Sequence, residues 1–562
     1  MAGVRAGGSR VTPRIASVDM VVLGSGAAGL TAALTGSLDG LRVLVLEHEE
    51  QVGGTSARSS GSVWIPGNGF ARAARPEDAA EAAVYLDALV GERAPHALRR
   101  AFLAAGPRML EDLETRAGIA FRAMPASPDY RQDIPGAAPG WRPLDPVPFD
   151  GRSLGDWFAR LAPPLPELTV LGGMMVTRPE AAALLRADRD AGAAAIRLGL
   201  RHARDRLRHA RGTRLVLGNA LVARLLHACL VHGVDIRTGV VASRIAPGVV
   251  HLPGESIRAK AIILAGGGFP ASEAKRAEHL PDPTPRITPA APGARGTTLD
   301  LGLAAGAQLG PSGLDNALWF PCSTMVRPDR STAIWPHIVL DRAKPGSLCV
   351  GRDGRRFVNE AVSYHEFVRA MYRHRDTALP CWLIADRAFV RRYGLGLIRP
   401  RTPSLRRYIR AGYLTAARDL PTLARALGMP ATALCHTIER FNGFCTPGID
   451  EDFGRGETLY DRANGDPGHG PNPCLGRLGD GPYYAVRMEP APLGTSRGLA
   501  TDARARVLDA EGAPIDGLYA CGNDMHSAFG GEYPGAGAQL GQAMTFGWLA
   551  ARHAAGIERE DP

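Results

Sequence analysis

Gly24, Gly26 and Gly29 form a GxGxxG turn, and an acid, Glu47, follows after one helix and one strand. Those residue types at that spacing suit the holding of a dinucleotide. Gly24 permits a tight turn, Gly26 lets the backbone approach a pyrophosphate, and Gly29 lets a helix pack close on a strand. The helix that opens at Ala27-Ala28 presents N–H groups and a favourable dipole end to phosphates. Glu47, with His48 beside it, is placed to accept hydrogen bonds from an adenosine ribose. A lone GxGxxG is weak, since glycine-rich turns are common punctuation. Strand, glycines, helix, strand and acid in register point to a cofactor, and leave NAD and FAD both open.

Gly53-Gly54-Thr55-Ser56 and then Ser59-Ser60-Gly61-Ser62 decide between them. Slender backbone and small hydroxyls soon after the ribose acid make room beside a bulky ring system. Flavin folds need that room and NAD folds do not.

Around these motifs the chain predicts a strand over 18–23, a helix over 27–38 and a strand over 42–46. Further on come 214–217, a helix over 221–231 and a strand over 234–237. Val240-Val241 and 249–252 read as hairpin strands. The apolar run 262–264 ends in Ala265-Gly266-Gly267, a second close approach to the dinucleotide. A last short strand over 515–523 ends at Gly522-Asn523. A glycine-rich loop, 530–537, then leads into a helix over 540–555. The fold class is therefore α/β, with a Rossmann-like FAD-binding domain built from both ends of the chain and an inserted α+β catalytic domain. The expected boundaries are a flexible 1–16, FAD-binding parts at 17–319 and 493–562, and a substrate domain at 320–492.

A chain of 562 residues with 45% hydrophobic and 22% charged content reads as globular and multidomain. Its net charge of +10 invites a nucleic-acid reading. Of the 66 basic residues only Lys260, Lys275 and Lys344 are lysines, and the arginines are scattered through an Ala-, Gly- and Pro-rich chain. No nucleic-acid partner is expected. The eight cysteines form no CxxC pair and read as reduced, buried thiols. The first residues carry neither an ordinary secretion signal nor a twin-arginine pair, and no stretch approaches the ~18 apolar residues of a membrane span. A cytoplasmic location is expected.

GSGAAGL, LEHEEQVGGTSARSSGSVWIPG, SPDY, GRRFVNEAVSYHEFVRAMY and GLYACGNDMHSAFGGEYPGAGAQLG together resemble the fumarate reductase/3-ketosteroid dehydrogenase flavoproteins, and more narrowly the 3-ketosteroid Δ1-dehydrogenases. The resemblance covers nearly the whole chain. It implies FAD, with further contacts from Val241, Asn523, Gly537, Gln539 and Leu540. It also implies a ketone-polarising pair, the Tyr533 hydroxyl and the Gly537 N–H, stabilising enolate charge. Tyr364 matches the family's proton-abstracting tyrosine and Tyr130 the tyrosine that assists it. Hydride then passes from the next carbon to flavin N5. A phenol with pKa near 10 is a poor base in water, so the role demands a donor network or a cation. The implied partners are a small lipophilic ketone, steroid or cyclohexanone-like, and an external electron acceptor, quinone-like or of another kind.

Fumarate enzymes of the superfamily carry a histidine in HxTxGG and an arginine in the last glycine loop. Here the first stretch reads Leu493-Gly494-Thr495-Ser496-Arg497-Gly498, and the loop has Tyr533-Pro534 with no arginine. A dianion lacks its clamp, so a neutral ketone fits better. No histidine falls between Gly53 and Trp64 to tether a flavin, which implies non-covalent FAD. A fumarate-type enoate reductase remains the first alternative. A flavin module without chemistry of its own, carrying electrons at a membrane, is the second.

One segment, 174–216, is largely lacking in the compact steroid enzymes. Within it Arg197, Arg201, Arg204, Arg208 and Arg211 follow helical spacing beside a thin stripe of Leu200, Ala203, Leu207 and Ala210. The helix is read in two ways. It lies on an anionic membrane surface where a lipophilic substrate collects, or it packs on the protein by its apolar edge. Alanine's small insertion energy favours the second.

Overall fold

A computed structural model describes residues 14–181, 189–338 and 341–557. Its organising element is a six-stranded sheet in the order Arg506–Leu508, Pro514–Ala520, Ala261–Leu264, Met20–Leu23, Val43–Leu46, Asp235–Arg237. All neighbours run parallel except the first pair. Met20–Leu23, Val43–Leu46 and Ala261–Leu264 are buried along their whole length, as strands covered on both faces must be, which explains their unbroken apolar sequence. Strands from near residues 20 and 520 share this sheet, so the nucleotide half is closed by the two ends of the chain.

Helix Ala27–Leu38 packs beneath it, and helix Ala538–Ala554 packs on that helix. The approach is close enough that a Cβ on Gly547 would lie 2.6 Å from the Ala28 carbonyl oxygen. Helix Leu217–Val231 completes the layer.

A second sheet orders Thr332–Pro336, Ala317–Val326, Tyr483–Thr495, Cys381–Asp386 and Ser347–Val350, with Leu414–Ala417 also paired to Tyr483–Thr495. Against strand Ala317–Val326 lies helix Tyr364–Arg373. That helix starts where it does because Ser363 and Glu366 make the S-x-x-E pattern, and the Glu366 N–H donates to Ser363 Oγ at 3.2 Å. The strand and the helix are joined where the Trp319 N–H donates to His365 Nδ1 at 3.4 Å.

Several expectations are corrected. Arg14–Ser17 is a strand paired in parallel with Glu255–Arg258, so the terminus expected to be flexible through residue 16 is ordered from residue 14; residues 1–13 lie outside the described residues. Val240-Val241 is not a strand. The hairpin is Arg244–Ala246 with Val249–Leu252, because the turn sits at Gly248, whose φ of +69° puts it in the left-handed region. The arginine helix, Arg189–Arg206, stops before Arg208. Arg211 turns back to the core, donating to Asn219 Oδ1 at 2.6 Å with its guanidinium over the Phe158 ring.

The apolar edge of that helix is not its packed edge. Leu200 and Leu207 are 69% and 84% exposed, and Ala203 and Ala210 are exposed as well. Docking runs instead through His202 and Asp205, both buried: His202 Nε2 bonds the Leu171 carbonyl, and Asp205 accepts from the Thr213 N–H and hydroxyl. Polar anchoring wins because it satisfies groups that burial would otherwise leave unpaired. Among the described residues no helix is long and apolar enough to cross a membrane.

Candidate active site

The glycine turn is built as its spacing requires. Gly24 has φ +112°, and a Cβ there would sit 2.3 Å from the Ala265 carbonyl oxygen. A Cβ on Gly29 would meet the Gly24 carbonyl oxygen at 2.0 Å. Glu47 is buried at the strand end; its Oε2 accepts from the Ser25 N–H at 2.9 Å and its Oε1 from the Glu49 N–H at 3.0 Å. His48 Nδ1 lies 3.3 Å from Glu47 Oε1. The Ser25 hydroxyl, which donates to Glu47 Oε2, accepts from the Gly53 N–H at 3.1 Å, and Ser56 Oγ accepts from the Ala27 N–H at 3.1 Å. These two bonds join the second glycine motif to the first. Thr55 Oγ1 accepts from the Ala291 N–H, Ser59 Oγ donates to the Ser56 carbonyl and accepts from the Gly61 N–H, and Ser60 Oγ faces Ser62 Oγ at 3.4 Å.

From the far end of the chain, a Cβ on Gly522 would lie 3.1 Å from Ala28 Cβ, and Asn523 Nδ2 approaches the Gly267 carbonyl. Gln539 Nε2 donates to Asn523 Oδ1 at 2.9 Å, with Leu540 half-buried next to it. Val241 stands at the surface, 53% exposed, after Val240, whose N–H donates to the Glu47 carbonyl. Asp524, absent from the sequence reading, accepts from the Gly266 N–H at 2.6 Å and the Gly268 N–H at 2.8 Å. It fixes the second close-approach loop.

Beside this cradle four tyrosines converge. Tyr130 and Tyr364 share a hydrogen bond of 2.7 Å between hydroxyls. The Tyr533 ring lies 5.4 Å from each of theirs. Tyr460 packs on Tyr130 at 4.9 Å and Phe320 on Tyr364 at 4.4 Å. All four tyrosines are buried. The Tyr130 N–H and the Tyr85 hydroxyl both donate to the Pro534 carbonyl, at 2.9 and 2.8 Å, which fastens the SPDY loop to the YPGAG loop. Beneath that joint, fully buried Asp129 accepts from Trp64 Nε1 at 2.8 Å and from Arg142 Nη1 at 2.5 Å, and Arg142 Nε donates to Asp78.

Gly537, with φ +93°, caps helix Ala538–Ala554, and a Cβ on it would meet the Ser62 carbonyl oxygen at 2.3 Å. The first N–H groups of a helix stand outside its own hydrogen-bond ladder and are open to an acceptor. A small cleft touches Tyr533, Asn523, Ala538 and Gln539, so the tyrosine cluster and the cradle adjoin one space.

Burial pushes the Tyr364 phenol well above its usual pKa, and the phenols of Tyr130 and Tyr533 add to that. Burial also raises Tyr130 strongly and raises Tyr533. Opposing burial, the charge of Arg178 favours ionisation at Tyr130, Tyr460 and Tyr533 without overcoming it. The neutral phenol is therefore the resident form. Desolvation keeps His365 neutral beside Tyr533, its imidazole well below the ordinary value. Tyr460, Arg178, His365 and Asp524 were not legible in the sequence. Tyr460 and Arg178 stand outside the motifs, and His365 and Asp524, although inside them, find their partners far along the chain.

The model of the FAD binding domain family matches residues 19–540. The 3-oxosteroid 1-dehydrogenase of Mycolicibacterium smegmatis is 35% identical, over 95% of this chain and 96% of its own. The chain belongs to the 3-ketosteroid Δ1-dehydrogenase-like FAD flavoproteins. This flavoprotein is similar in shape to the crystal structure of 3-ketosteroid Δ1-dehydrogenase from Sterolibacterium denitrificans in complex with 1,4-androstadiene-3,17-dione. The TM-score is 0.90 at 34% identity, over 96% of this chain and all of that one. The 4-oxocyclohexanecarboxylate 2-dehydrogenase of Sinomonas cyclohexanicum is 36% identical, over 97% of this chain and 94% of its own. The flavoprotein is thus an oxidoreductase acting on CH–CH groups, and FAD is its cofactor. The cradle fits FAD: backbone is pressed together at Gly24 and Gly29, whereas around Gly54 a Cβ would meet nothing within 4 Å, leaving width beside the second motif.

Proposed function

We propose that the flavoprotein introduces a C=C bond beside the carbonyl of a cyclic ketone. The observation that carries this reading is the 2.7 Å hydroxyl contact of Tyr130 and Tyr364 with Tyr533 alongside. The Tyr533 hydroxyl and the Gly537 N–H donate to the ketone oxygen and stabilise the charge that gathers there. Polarised in this way, the ring carbon next to the carbonyl gives up its proton to the Tyr364 oxygen. Tyr130, bonded to that oxygen, shares the charge of the ionised form of Tyr364 that takes the proton, and the transfer returns Tyr364 to its neutral phenol. The aromatic wall of Phe320 and Tyr460 excludes water while the enolate forms. Residues of the cradle from Gly24 to Gly61, with Ala265 to Gly267 and Gly522 to Leu540, hold FAD without a covalent bond. FAD, when bound, supplies a two-electron acceptor for the hydride of the next carbon, and an external acceptor, for which a quinone is our reading, restores it.

Anaerobic mixing of the holoenzyme with a 3-ketosteroid or a cyclohexanone tests this. Flavin absorbance is expected to bleach within turnover times. Indifference to ketones, together with reoxidation of reduced enzyme by fumarate, would overturn the reading in favour of an enoate reductase. Precipitation with acid is expected to release the flavin into the supernatant, as non-covalent binding requires.

A second reading concerns where the enzyme works. Ile196 and Leu200 are 66% and 69% exposed on the arginine helix and Leu207, just past its end, is 84% exposed, interleaved with exposed Arg197, Arg201 and Arg204. We infer that this face contacts an anionic membrane surface, with apolar side chains inserted and arginines on the headgroups. Co-flotation with anionic vesicles at low salt, and none with neutral ones, is expected; no flotation with either removes the idea.

A further inference from the structure

Near the tyrosines most arginines are already engaged. Arg142 is paired with Asp78 and Asp129, and Arg369 with Asp315, Glu366 and Glu532. Arg342 is buried, and its guanidinium donates to backbone carbonyls, among them those of Glu360 and His337. Arg178 differs. It is exposed, and among the described residues no carboxylate lies within ion-pair distance of it.

Its position is nevertheless fixed to the site. Arg178 Nη2 donates to Ser62 Oγ at 3.3 Å, and that hydroxyl donates to Asp145 Oδ1 at 2.6 Å. Ser62 is fully buried, and its carbonyl is the group a Cβ on Gly537 would strike. The guanidinium is thus held against the wall that carries the candidate oxyanion donor, on the side from which its charge reaches Tyr130, Tyr460 and Tyr533. A guanidinium has five N–H donors in a planar fork that matches a carboxylate, and one weak bond to a neutral hydroxyl leaves most of them available.

We infer that Arg178 binds a carboxylate beside the tyrosine site, so that the preferred substrate is a ring ketone bearing a carboxylate away from its carbonyl. A single arginine suits a monoanion. The paired clamp of the fumarate enzymes is still missing, so a dicarboxylate is still disfavoured. A neutral polycyclic ketone would gain nothing from the guanidinium. The inference rests on ketone desaturation as proposed above.

Two measurements on the holoenzyme separate the two ideas. Anaerobic flavin reduction compares 4-oxocyclohexane-1-carboxylate with its methyl ester, in the wild type, Arg178→Gln and Arg178→Lys. Calorimetry of cyclohexane carboxylate, which has no ketone, measures binding without turnover. A charge-assisted hydrogen bond predicts that the acid is favoured over the ester about ten- to hundredfold in kcat/KM. In Arg178→Gln that ratio is expected to collapse towards one, and Arg178→Lys, a charge without the fork, to retain part of it. The carboxylate Kd is expected to weaken by a similar factor in Arg178→Gln. An unchanged acid-to-ester ratio, or an unchanged Kd, overturns the role of Arg178. Flavin reduction by neither compound nor by a steroid would sink ketone desaturation, and the calorimetric arm would still decide Arg178.

Discussion

The nucleotide cradle and the tyrosine cluster touch at Gly537, yet they are made in opposite ways. The cradle is backbone. Its working groups are N–H donors and missing Cβ atoms, arranged by glycines such as Gly24 and Gly29 within a few residues of one another. The cluster is side chain. Tyr130, Tyr364, Tyr460 and Tyr533 come from four remote segments and are held by packing and by bonds such as those on the Pro534 carbonyl. A cradle of backbone tolerates no added atom at its tightest glycines, Gly24 and Gly29. A cluster of side chains tolerates changes of shape around it but depends on each hydroxyl.

Four substitutions and a titration can break that contrast, in four steps beginning with the largest effect. Gly24→Ala puts a Cβ 2.3 Å from the Ala265 carbonyl oxygen and forces a rare backbone conformation on alanine. The protein is expected to purify without FAD and without activity, read from the ratio of visible to ultraviolet absorbance. Next, Tyr364→Phe is expected to retain FAD and to lose about a thousandfold in ketone-driven flavin reduction, with Tyr533→Phe close behind. Undiminished bleaching in either variant would remove its assigned role, and loss of FAD would erase the distinction between the two regions.

Arg142→Met comes third. It strands Asp78 and Asp129 as buried carboxylates, and breaking such a cluster costs about 3–5 kcal/mol. A lowered thermal midpoint with a displaced SPDY loop is expected; an unchanged midpoint would show that the loop is held by the Pro534 carbonyl alone.

The smallest effect is with pH. Because burial raises the Tyr364 phenol above its usual value, the ionised fraction at neutral pH is small and grows with alkalinity. The logarithm of kcat/KM is therefore expected to climb by about one unit per pH unit from near 7 without levelling before about 10. A plateau below pH 9 would mean that the loaded site lowers the phenol. The same burial limits the experiment at its upper end. A phenol whose folded-state pKa is raised contributes stability that is complete below the unfolded value near 10 and is lost as pH rises past it.

The difference between the regions also decides what a sequence can reveal. Backbone sites leave a signature because the glycines must be neighbours; from GSGAAGL and VGGTS the strand, helix and second motif were all readable. The hairpin failed because Val240-Val241 looks as strand-like as Arg244–Ala246, and only the turn at Gly248 separates them. Tyr130, Tyr364 and Tyr533 were found through whole motifs shared with a family, whereas Tyr460, outside any such motif, was not. Asp524 shows the limit most clearly. It lies next to Asn523, which was named, yet its bonds to Gly266 and Gly268 span more than 250 residues and leave no local trace. In the arginine helix the spacing was readable, but which edge packs was not, because His202 and Asp205 dock by partners far along the chain.

Strand Pro514–Ala520 lies against Ala261–Leu264, and helix Ala538–Ala554 against Ala27–Leu38. A chain leaving the ribosome presents its glycine turn early, yet those two pieces arrive only after more than 500 residues have been made. Until then the turn has no lid, Pro534 has no carbonyl to offer Tyr130, and the first nine-tenths of the molecule must wait in a partly open state. Cofactor capture is thereby tied to completion of synthesis, and a fragment cut short before Pro514 has the signature of a flavoprotein without the means to be one.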